Sequence, residues 1–125
     1  MVGGNLTVLT SLVGTPYALD GRGCILVLED TGEDAYRIDR MLNQLWQSGL
    51  LKRVAAIAYG DFTDCPNDPG DFTTDQVLDY YAHLAGKPAI KGLPVGHTRD
   101  KAFLPYGLTA TVVAGDKEAV LRWGR

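Results

Sequence analysis

Two short apolar runs separated by an amphipathic segment of helix length constrain the fold of this chain more than any other feature. The runs are residues 23–28 (GCILVL) and 54–59 (VAAIAY), and neither alternates with polar residues. Such runs are typical of strands that are buried on both faces. Between them, apolar residues recur at helical spacing over residues 34–48, with polar residues on the opposite face. This strand–helix–strand order predicts a parallel pair of strands joined by a crossover helix.

Capping and turn signals predict the remaining elements. Asn5 and Gly14 bracket an apolar segment as N-cap and C-cap, which predicts a short helix over residues 6–13. Capping boxes are predicted to open both long helices, from Thr31 with Asp34 and from Thr73 with Gln76. Further strands are predicted over residues 89–91, 108–113 and 118–123. The predicted fold class is α/β: a single domain with a mixed, partly parallel sheet, flanking helices and a C-terminal hairpin.

Composition argues against several classes of partner. The formal net charge is -3, and no basic stripe is present, so no nucleic acid is expected to bind. No apolar run has the length of a membrane span and no signal-peptide pattern opens the chain, so no membrane partner is expected. Cys24 and Cys65 are too few for a disulfide framework and predict free thiols in a reducing compartment, which indicates the cytoplasm. Cys65 lies near Asp61 and Asp64, but His and Cys ligands are too few for zinc. Neither a metal nor a cofactor is expected.

Two titratable residues lie where an α/β sheet presents functional groups, at the carboxyl ends of predicted strands. Glu29 directly follows the run at 23–28, and His97 lies in the loop after the short strand. An imidazole suits general-base catalysis, and a carboxylate beside it can hold one tautomer. The same residues also fit a loop histidine without a role and an acid that caps the next helix. Asp30 could exchange roles with Glu29, and the pattern alone leaves these alternatives open.

Gly3, Gly4 and Asn5 precede the first predicted helix and have two interpretations. Backbone N–H groups before a helix can bind an anion, which would make these residues a substrate-binding site. A tight turn that ends in an N-cap explains the same residues equally well.

Four groups of residues form a specific set when they are taken together. They are GGNL with LVGTPY (3–6 and 12–17), LED with YRIDR (28–30 and 36–40), GDFTDC (60–65) and GLPVGH (92–97). In this order and at this spacing they resemble the LD-carboxypeptidase family of serine peptidases, which includes the microcin self-immunity peptidases. The resemblance covers nearly the whole chain.

The resemblance implies that residues 1–125 form a C-terminal domain, swivelling β/β/α-like, and that an N-terminal serine-bearing domain is absent from this chain. In the family, the active site lies between the two domains. The Glu of the Leu-Glu-Asp motif and the His of the Gly-His motif complete a Ser-Glu-His triad, which implies catalytic roles for Glu29 and His97. Neither serine of the chain, Ser11 or Ser48, lies on a strained turn that would expose a nucleophile.

The resemblance also implies partners and an activity. The partners are a murein peptide substrate and the N-terminal domain of the same protein, and a homodimer stays open. The family typically releases the terminal D-alanine of a cytoplasmic murein tetrapeptide, whereas its immunity-type relatives cleave a peptidyl-nucleotide amide. A non-catalytic, partner-binding module of the same fold is the remaining alternative. The chain alone is expected to be inactive because a base and its orienting acid cannot form an acyl-enzyme without a nucleophile.

Overall fold

A four-stranded parallel sheet and a separate antiparallel hairpin organise the chain. The computed structural model describes residues 1–67, 69–115 and 118–124. Its elements are β1 (Val2–Asn5), α1 (Leu6–Ser11), β2 (Ile25–Thr31), α2 (Ala35–Gln47), α3 (Leu50–Arg53), β3 (Ala56–Thr63), α4 (Thr74–Ala85), β4 (Ala89–Ile90), β5 (Ala110–Ala114) and β6 (Ala119–Trp123). The sheet order is β1-β2-β3-β4, and every pairing in it is parallel. The hairpin β5-β6 is a second, two-stranded sheet. The predicted α/β class is confirmed.

Both faces of the parallel sheet are covered, which explains why its central strands are continuously apolar. Successive side chains of a strand point to opposite faces. In β2, Leu26 and Leu28 therefore face one layer, whereas Ile25 and Val27 face the other. The first layer is helical, and its buried residues come from the helices α1, α2, α3 and α4. The second layer is formed by the hairpin and by the loops around residues 93–104, and its hydrophobic residues are only partly buried.

The helix boundaries confirm two of the four capping predictions, the Thr73 box and the Asn5 N-cap. Thr73 Oγ1 accepts a hydrogen bond from the Gln76 backbone N–H at 3.2 Å, and Gln76 Oε1 accepts one from the Thr73 N–H at 2.8 Å. The Asn5 side chain caps α1 by accepting from the Val8 N–H at 3.0 Å. The box predicted from Thr31 and Asp34 is wrong because Thr31 is the last residue of β2, where its backbone pairs with β3. Two further departures are that the C-cap of α1 is Leu12 instead of Gly14 and that the N-cap of α2, Asp34, makes no side-chain capping bond.

The strand β1 corrects the tight-turn interpretation of Gly3 and Gly4. Both residues lie in an extended segment that pairs with β2, Gly3 opposite Val27 and Gly4 opposite Leu28. Their φ angles are 137° and 147°, a region that favours glycine. A Cβ on Gly3 would lie 2.0 Å from the Val27 carbonyl oxygen, whereas a Cβ on Gly4 would meet nothing within 4 Å. Because Gly3 has no side chain, the β1 backbone can approach the backbone of Val27 in β2 at a distance that any Cβ would block.

We expect Gly3→Ala to destabilise the chain by about 1–3 kcal/mol more than Gly4→Ala, since a clash with a backbone atom cannot be relieved by a rotamer change. Urea unfolding of the two variants measures the difference. Gly4→Ala is the matched control because both positions have φ in the same unusual region and only one has a close neighbour. Equal destabilisation of the two variants would show that φ, and not the approach to β2, is what requires glycine.

A buried tyrosine links the two long helices and makes stability sensitive to alkaline pH. The Tyr81 hydroxyl in α4 donates to Asp39 Oδ1 in α2 at 3.1 Å. Burial, and then the negative charge of Asp39, raise the pKa of Tyr81 from 10.0 to about 12. The unfolded chain therefore loses this proton at lower pH than the folded chain does. The contribution to stability is complete below pH 10 and is lost as the pH rises towards about 12.

We expect Tyr81→Phe to lower the free energy of unfolding by about 1 kcal/mol at neutral pH, because one hydrogen bond is lost. The variant should also lose less stability than the wild type between about pH 10 and about pH 12. Urea unfolding across this range checks both effects. Tyr17→Phe is the control, because the Tyr17 side chain is exposed. Parallel stability–pH curves for wild type and Tyr81→Phe would contradict the assignment.

Candidate active site at the carboxyl edge of the sheet

Glu29 and His97 meet at the carboxyl edge of the sheet. Glu29 lies in the last part of β2, and His97 lies in the loop that follows β4. Their contact joins His97 Nδ1 to Glu29 Oε2 at 2.9 Å. The Glu29 side chain is 9% exposed and the His97 side chain is 55% exposed. The structure thus brings together the two residues that the sequence singles out as a candidate base and its orienting acid.

Glu29 and Asp30 diverge because they are neighbours in a strand and so point to opposite faces of the sheet. Glu29 lies on the face of the loop that carries His97. Asp30 lies on the helical face, where its carboxylate accepts hydrogen bonds from Asn5 Nδ2 at 2.9 Å and from the backbone N–H and hydroxyl of Thr7 at 2.9 and 2.8 Å. A fourth bond comes from its neighbour's backbone N–H, at Thr31. Asp30 therefore ties the β1–α1 junction to the central strand, and Glu29 is the acid that contacts the imidazole.

The loop after β4 reaches the edge by following β3 with backbone contacts. The Leu93 N–H donates to the Tyr59 carbonyl at 3.2 Å, and the Asp61 N–H donates to the Val95 carbonyl at 2.8 Å. These bonds continue the β3–β4 pairing beyond the end of β4. His97 follows directly after this segment, so main-chain bonds to β3 fix the position of the His97 backbone.

The orientation of the imidazole suits a general base. The Glu29 carboxylate accepts a hydrogen bond from Nδ1–H, which leaves the lone pair of the neutral ring on Nε2. Across residues 1–67, 69–115 and 118–124, no group hydrogen bonds to Nε2. Because the His97 side chain is half exposed, an Nε2 with a free lone pair can take a proton from a hydroxyl that is brought to it from outside the chain.

Neither serine of the chain contacts His97. The Ser11 hydroxyl donates to the Val8 carbonyl at 2.7 Å, and the Ser48 hydroxyl donates to the Leu45 carbonyl at 2.8 Å. Both bonds stay within the serine's own helix or its C-cap. Ser11 is the last residue of α1, and Ser48 is the C-cap of α2.

The three residues singled out as a substrate-binding set lie beside the pair. Asn5 is the register partner of Glu29, and Gly3 and Gly4 precede it along β1. Both ends of the Asn5 amide are engaged, because Oδ1 caps α1 and Nδ2 donates to Asp30. The Asn5 side chain therefore orders the edge of the sheet. If these three residues contact a substrate, the contact would be made by the backbone of Gly3 and Gly4.

Sequence reasoning missed Tyr106, which lies close enough to Glu29 to respond to its charge. Tyr106 is about half exposed, and its partial burial, and then the carboxylate of Glu29, raise the pKa of its phenol. The loop around it is anchored by the Gly107 N–H, which donates to the Met1 carbonyl at 3.0 Å. An isolated aromatic residue between Pro105 and Gly107 gives no periodic or motif signal that could have identified it.

The metal interpretation of Cys65 gains no support. In the part of the chain that the structure describes, no group of three His, Cys, Asp or Glu side chains could hold a metal ion. Burial raises the pKa of the Cys65 thiol, which disfavours the thiolate that metals bind.

Among the same described residues, no helix has the length and apolarity of a membrane span.

Comparison with known proteins places this chain in a family. The family model for the LD-carboxypeptidase C-terminal domain matches residues 1–112. The chain is 41% identical over 126 residues to a probable murein peptide carboxypeptidase of Bacillus subtilis, covering 99% of this chain and 40% of the relative. It is 40% identical over 124 residues to the murein tetrapeptide carboxypeptidase of Pseudomonas aeruginosa, covering 98% of this chain and 39% of the relative. The chain thus spans about two fifths of the length of these relatives.

Solved structures agree with the fold. The muramoyltetrapeptide carboxypeptidase of Oxalobacter formigenes superposes with a TM-score of 0.88 at 37% identity, covering 98% of this chain and 44% of that protein. The microcin immunity protein MccF, in complex with glutamyl sulfamoyl guanosine, superposes with a TM-score of 0.80 at 24% identity, which supports the fold alone. With a family match over residues 1–112 and relatives at 40–41% identity, the chain belongs to the family of LD-carboxypeptidase C-terminal domains.

Proposed function

We propose that this chain supplies the Glu and His of a Ser-Glu-His triad to a cytoplasmic serine carboxypeptidase that hydrolyses an L,D-amide in murein peptides. The nucleophilic serine belongs to an N-terminal domain of the same protein. The observation that carries the proposal is the 2.9 Å contact between His97 Nδ1 and Glu29 Oε2 at the carboxyl edge of the sheet. The activity that the names of the Bacillus and Pseudomonas relatives state supports the choice of substrate.

The geometry suggests a defined division of labour. His97 Nε2 takes the proton of the serine hydroxyl as the oxygen attacks the scissile carbonyl. Glu29 accepts the Nδ1–H bond throughout and stabilises the imidazolium that forms. The imidazolium then gives its proton to the leaving amine, the terminal D-alanine, and an acyl-enzyme remains. Water hydrolyses the acyl-enzyme with His97 again acting as the base.

The difference in exposure between the two side chains supports a two-domain site. Glu29 is nearly buried, so its carboxylate is shielded from water and its charge acts strongly on the imidazole. His97 is half exposed, so a serine from another domain could approach its ring. An acid held inside one domain and a base at its surface is the arrangement expected when the nucleophile arrives across an interface.

A peptidyl-nucleotide substrate is the second candidate. It is supported by 30% identity over 122 residues to the microcin C7 self-immunity protein MccF of Escherichia coli, which covers 33% of that protein. The murein relatives are more similar, at 40–41% identity, and so favour the murein substrate. The non-catalytic alternative is disfavoured because a pure binding module has no need of a nearly buried carboxylate aligned on a histidine.

We expect the isolated 125-residue chain to release no D-alanine from an L,D-tetrapeptide, since it carries no nucleophile at His97. Chromatography of the reaction mixture measures the release. The control is a two-domain protein that joins this chain to a serine-bearing N-terminal domain, assayed under identical conditions. Measurable release by the isolated chain that disappears in His97→Ala would refute the assignment of the nucleophile to another domain.

In the two-domain protein, we expect His97→Ala and Glu29→Gln each to lower kcat by about 10³–10⁴-fold, because a triad loses most of its rate when its base or orienting acid is removed. His83→Ala is the matched control, because His83 is the other histidine of the chain and lies exposed on α4. Steady-state kinetics with the tetrapeptide measures the three variants. Loss of activity in His83→Ala, or near-normal rates in the other two, would contradict the assigned roles.

A further inference from the structure

The pairing of β2 with β3 is interrupted at Glu29 by a bulge. Leu28 lies opposite Tyr59, but Asp30 lies opposite Phe62. One residue of β2, Glu29, therefore faces two residues of β3, Gly60 and Asp61 (the Gly60–Asp61 bulge). Bulges of this kind are rare between parallel strands, and they re-aim side chains where they occur next to active sites.

The bulge changes which face the following residues occupy. An inserted residue reverses the alternation of a strand, so residues three apart come to the same face. Tyr59 and Phe62 accordingly both pack against the helical layer, with their ring centroids 6.3 Å apart. Gly60 is left on the opposite face, next to Glu29. The backbone N–H of Asp61 turns away from β2 and donates to the Val95 carbonyl at 2.8 Å.

Gly60 provides the space that the His97 loop occupies. A Cβ on Gly60 would lie 2.3 Å from the Val95 carbonyl oxygen and 3.2 Å from Glu29 Cβ. The first of these neighbours is backbone, so it can yield only if the loop moves. The φ angle of Gly60 lies outside the positive region reserved for glycine, so an alanine there would meet steric conflict without backbone strain.

Gly96 makes a second close approach from the loop side. A Cβ on Gly96 would lie 2.9 Å from Glu29 Oε2 and 3.2 Å from the Asp61 carbonyl oxygen. Its φ angle of 133° also favours glycine. The two glycines therefore sandwich the Glu29 side chain between the bulge and the residue that precedes His97.

We propose that the Gly60–Asp61 bulge and Gly96 form a positioning device that holds His97 within hydrogen-bond distance of Glu29. The device acts by removing side-chain volume at Gly60 and Gly96 and by supplying the Asp61 N–H as an anchor for Val95. Gly60 and Gly96 are positioning residues, because they act through Glu29 and His97. The catalytic consequence rests on the proposed function, whereas the geometric consequence does not.

The geometric test uses the 125-residue chain. The ¹⁵N chemical shifts of the His97 imidazole, at a pH where the ring is neutral, report which nitrogen carries the proton. We expect Nδ1 to be protonated in the wild type. We expect Gly60→Ala to shift the ring to the mixture of tautomers that Glu29→Ala shows, since Val95 must retreat and the Nδ1–Oε2 bond is lost. Gly96→Ala should have the same effect and serves as the second variant if Gly60→Ala does not fold.

The control for general destabilisation is Ala82→Gly, which weakens α4 without touching Glu29 or His97. It should retain the wild-type tautomer even though its thermal stability falls. A folded Gly60→Ala or Gly96→Ala that keeps the wild-type tautomer would overturn the proposal. Loss of the wild-type His97 tautomer in Ala82→Gly would also overturn the proposal, because the tautomer would then depend on overall stability alone.

Kinetics of the two-domain protein separate this inference from the proposed function. We expect Gly60→Ala to lower kcat by about 10²–10⁴-fold, up to the loss expected of Glu29→Gln, with little change in KM, because the same Nδ1–Oε2 bond is lost. A lost tautomer signature with unchanged kcat would support the positioning device and refute the catalytic role of the pair. An unchanged signature with lowered kcat would overturn the positioning device and leave the proposed function standing.

Discussion

Alternation along β2 is the constraint on which the site depends. Because the sheet is covered on both faces, each residue of this strand must serve one layer or the other. Two adjacent acids at its carboxyl end are therefore separated by the full thickness of the sheet. Asp30 is directed to α1 and Glu29 to the loop of His97. A single extended strand thus gives two carboxylates two unrelated environments without any difference in side-chain chemistry beyond one methylene group.

In these two environments, Asp30 and Glu29 have different hydrogen-bond partners and different roles. Asp30 accepts four hydrogen bonds, which satisfy the lone pairs of its carboxylate and tie the short strand β1 to the sheet. Glu29 is nearly as buried, but the one hydrogen bond that the structure gives it within the described residues is with His97. A nearly buried carboxylate with so few donors is well placed to stabilise a cation that forms beside it. That is the situation of an imidazole that accepts a proton during a reaction.

Much of this architecture could be predicted from the sequence, because its strongest signals are local. The periodicity of α2 and the apolar runs of β2 and β3 located these elements to within a few residues, and the Thr73 capping box located the start of α4. Strand ends were harder: β2 and β3 continue through polar residues, since their carboxyl ends leave the apolar core. β1 was missed because four residues with two glycines carry no strand signal. The resemblance in four motifs, and not periodicity, selected Glu29 and His97 from the other acids and the other histidine.

The Gly60–Asp61 bulge could not be predicted from any local pattern, because it depends on register between strands that are far apart in the chain. It also has a consequence for divergence. The loop that carries His97 is held to β3 by main-chain atoms, Leu93 N–H to Tyr59 and Asp61 N–H to Val95. Any amino acid except proline can donate such an N–H, and every residue has the carbonyl. Most side chains around the site can therefore change, and with them the molecule that is recognised, while the imidazole keeps its position. The exceptions are Gly60 and Gly96, where any side chain would collide with its neighbours.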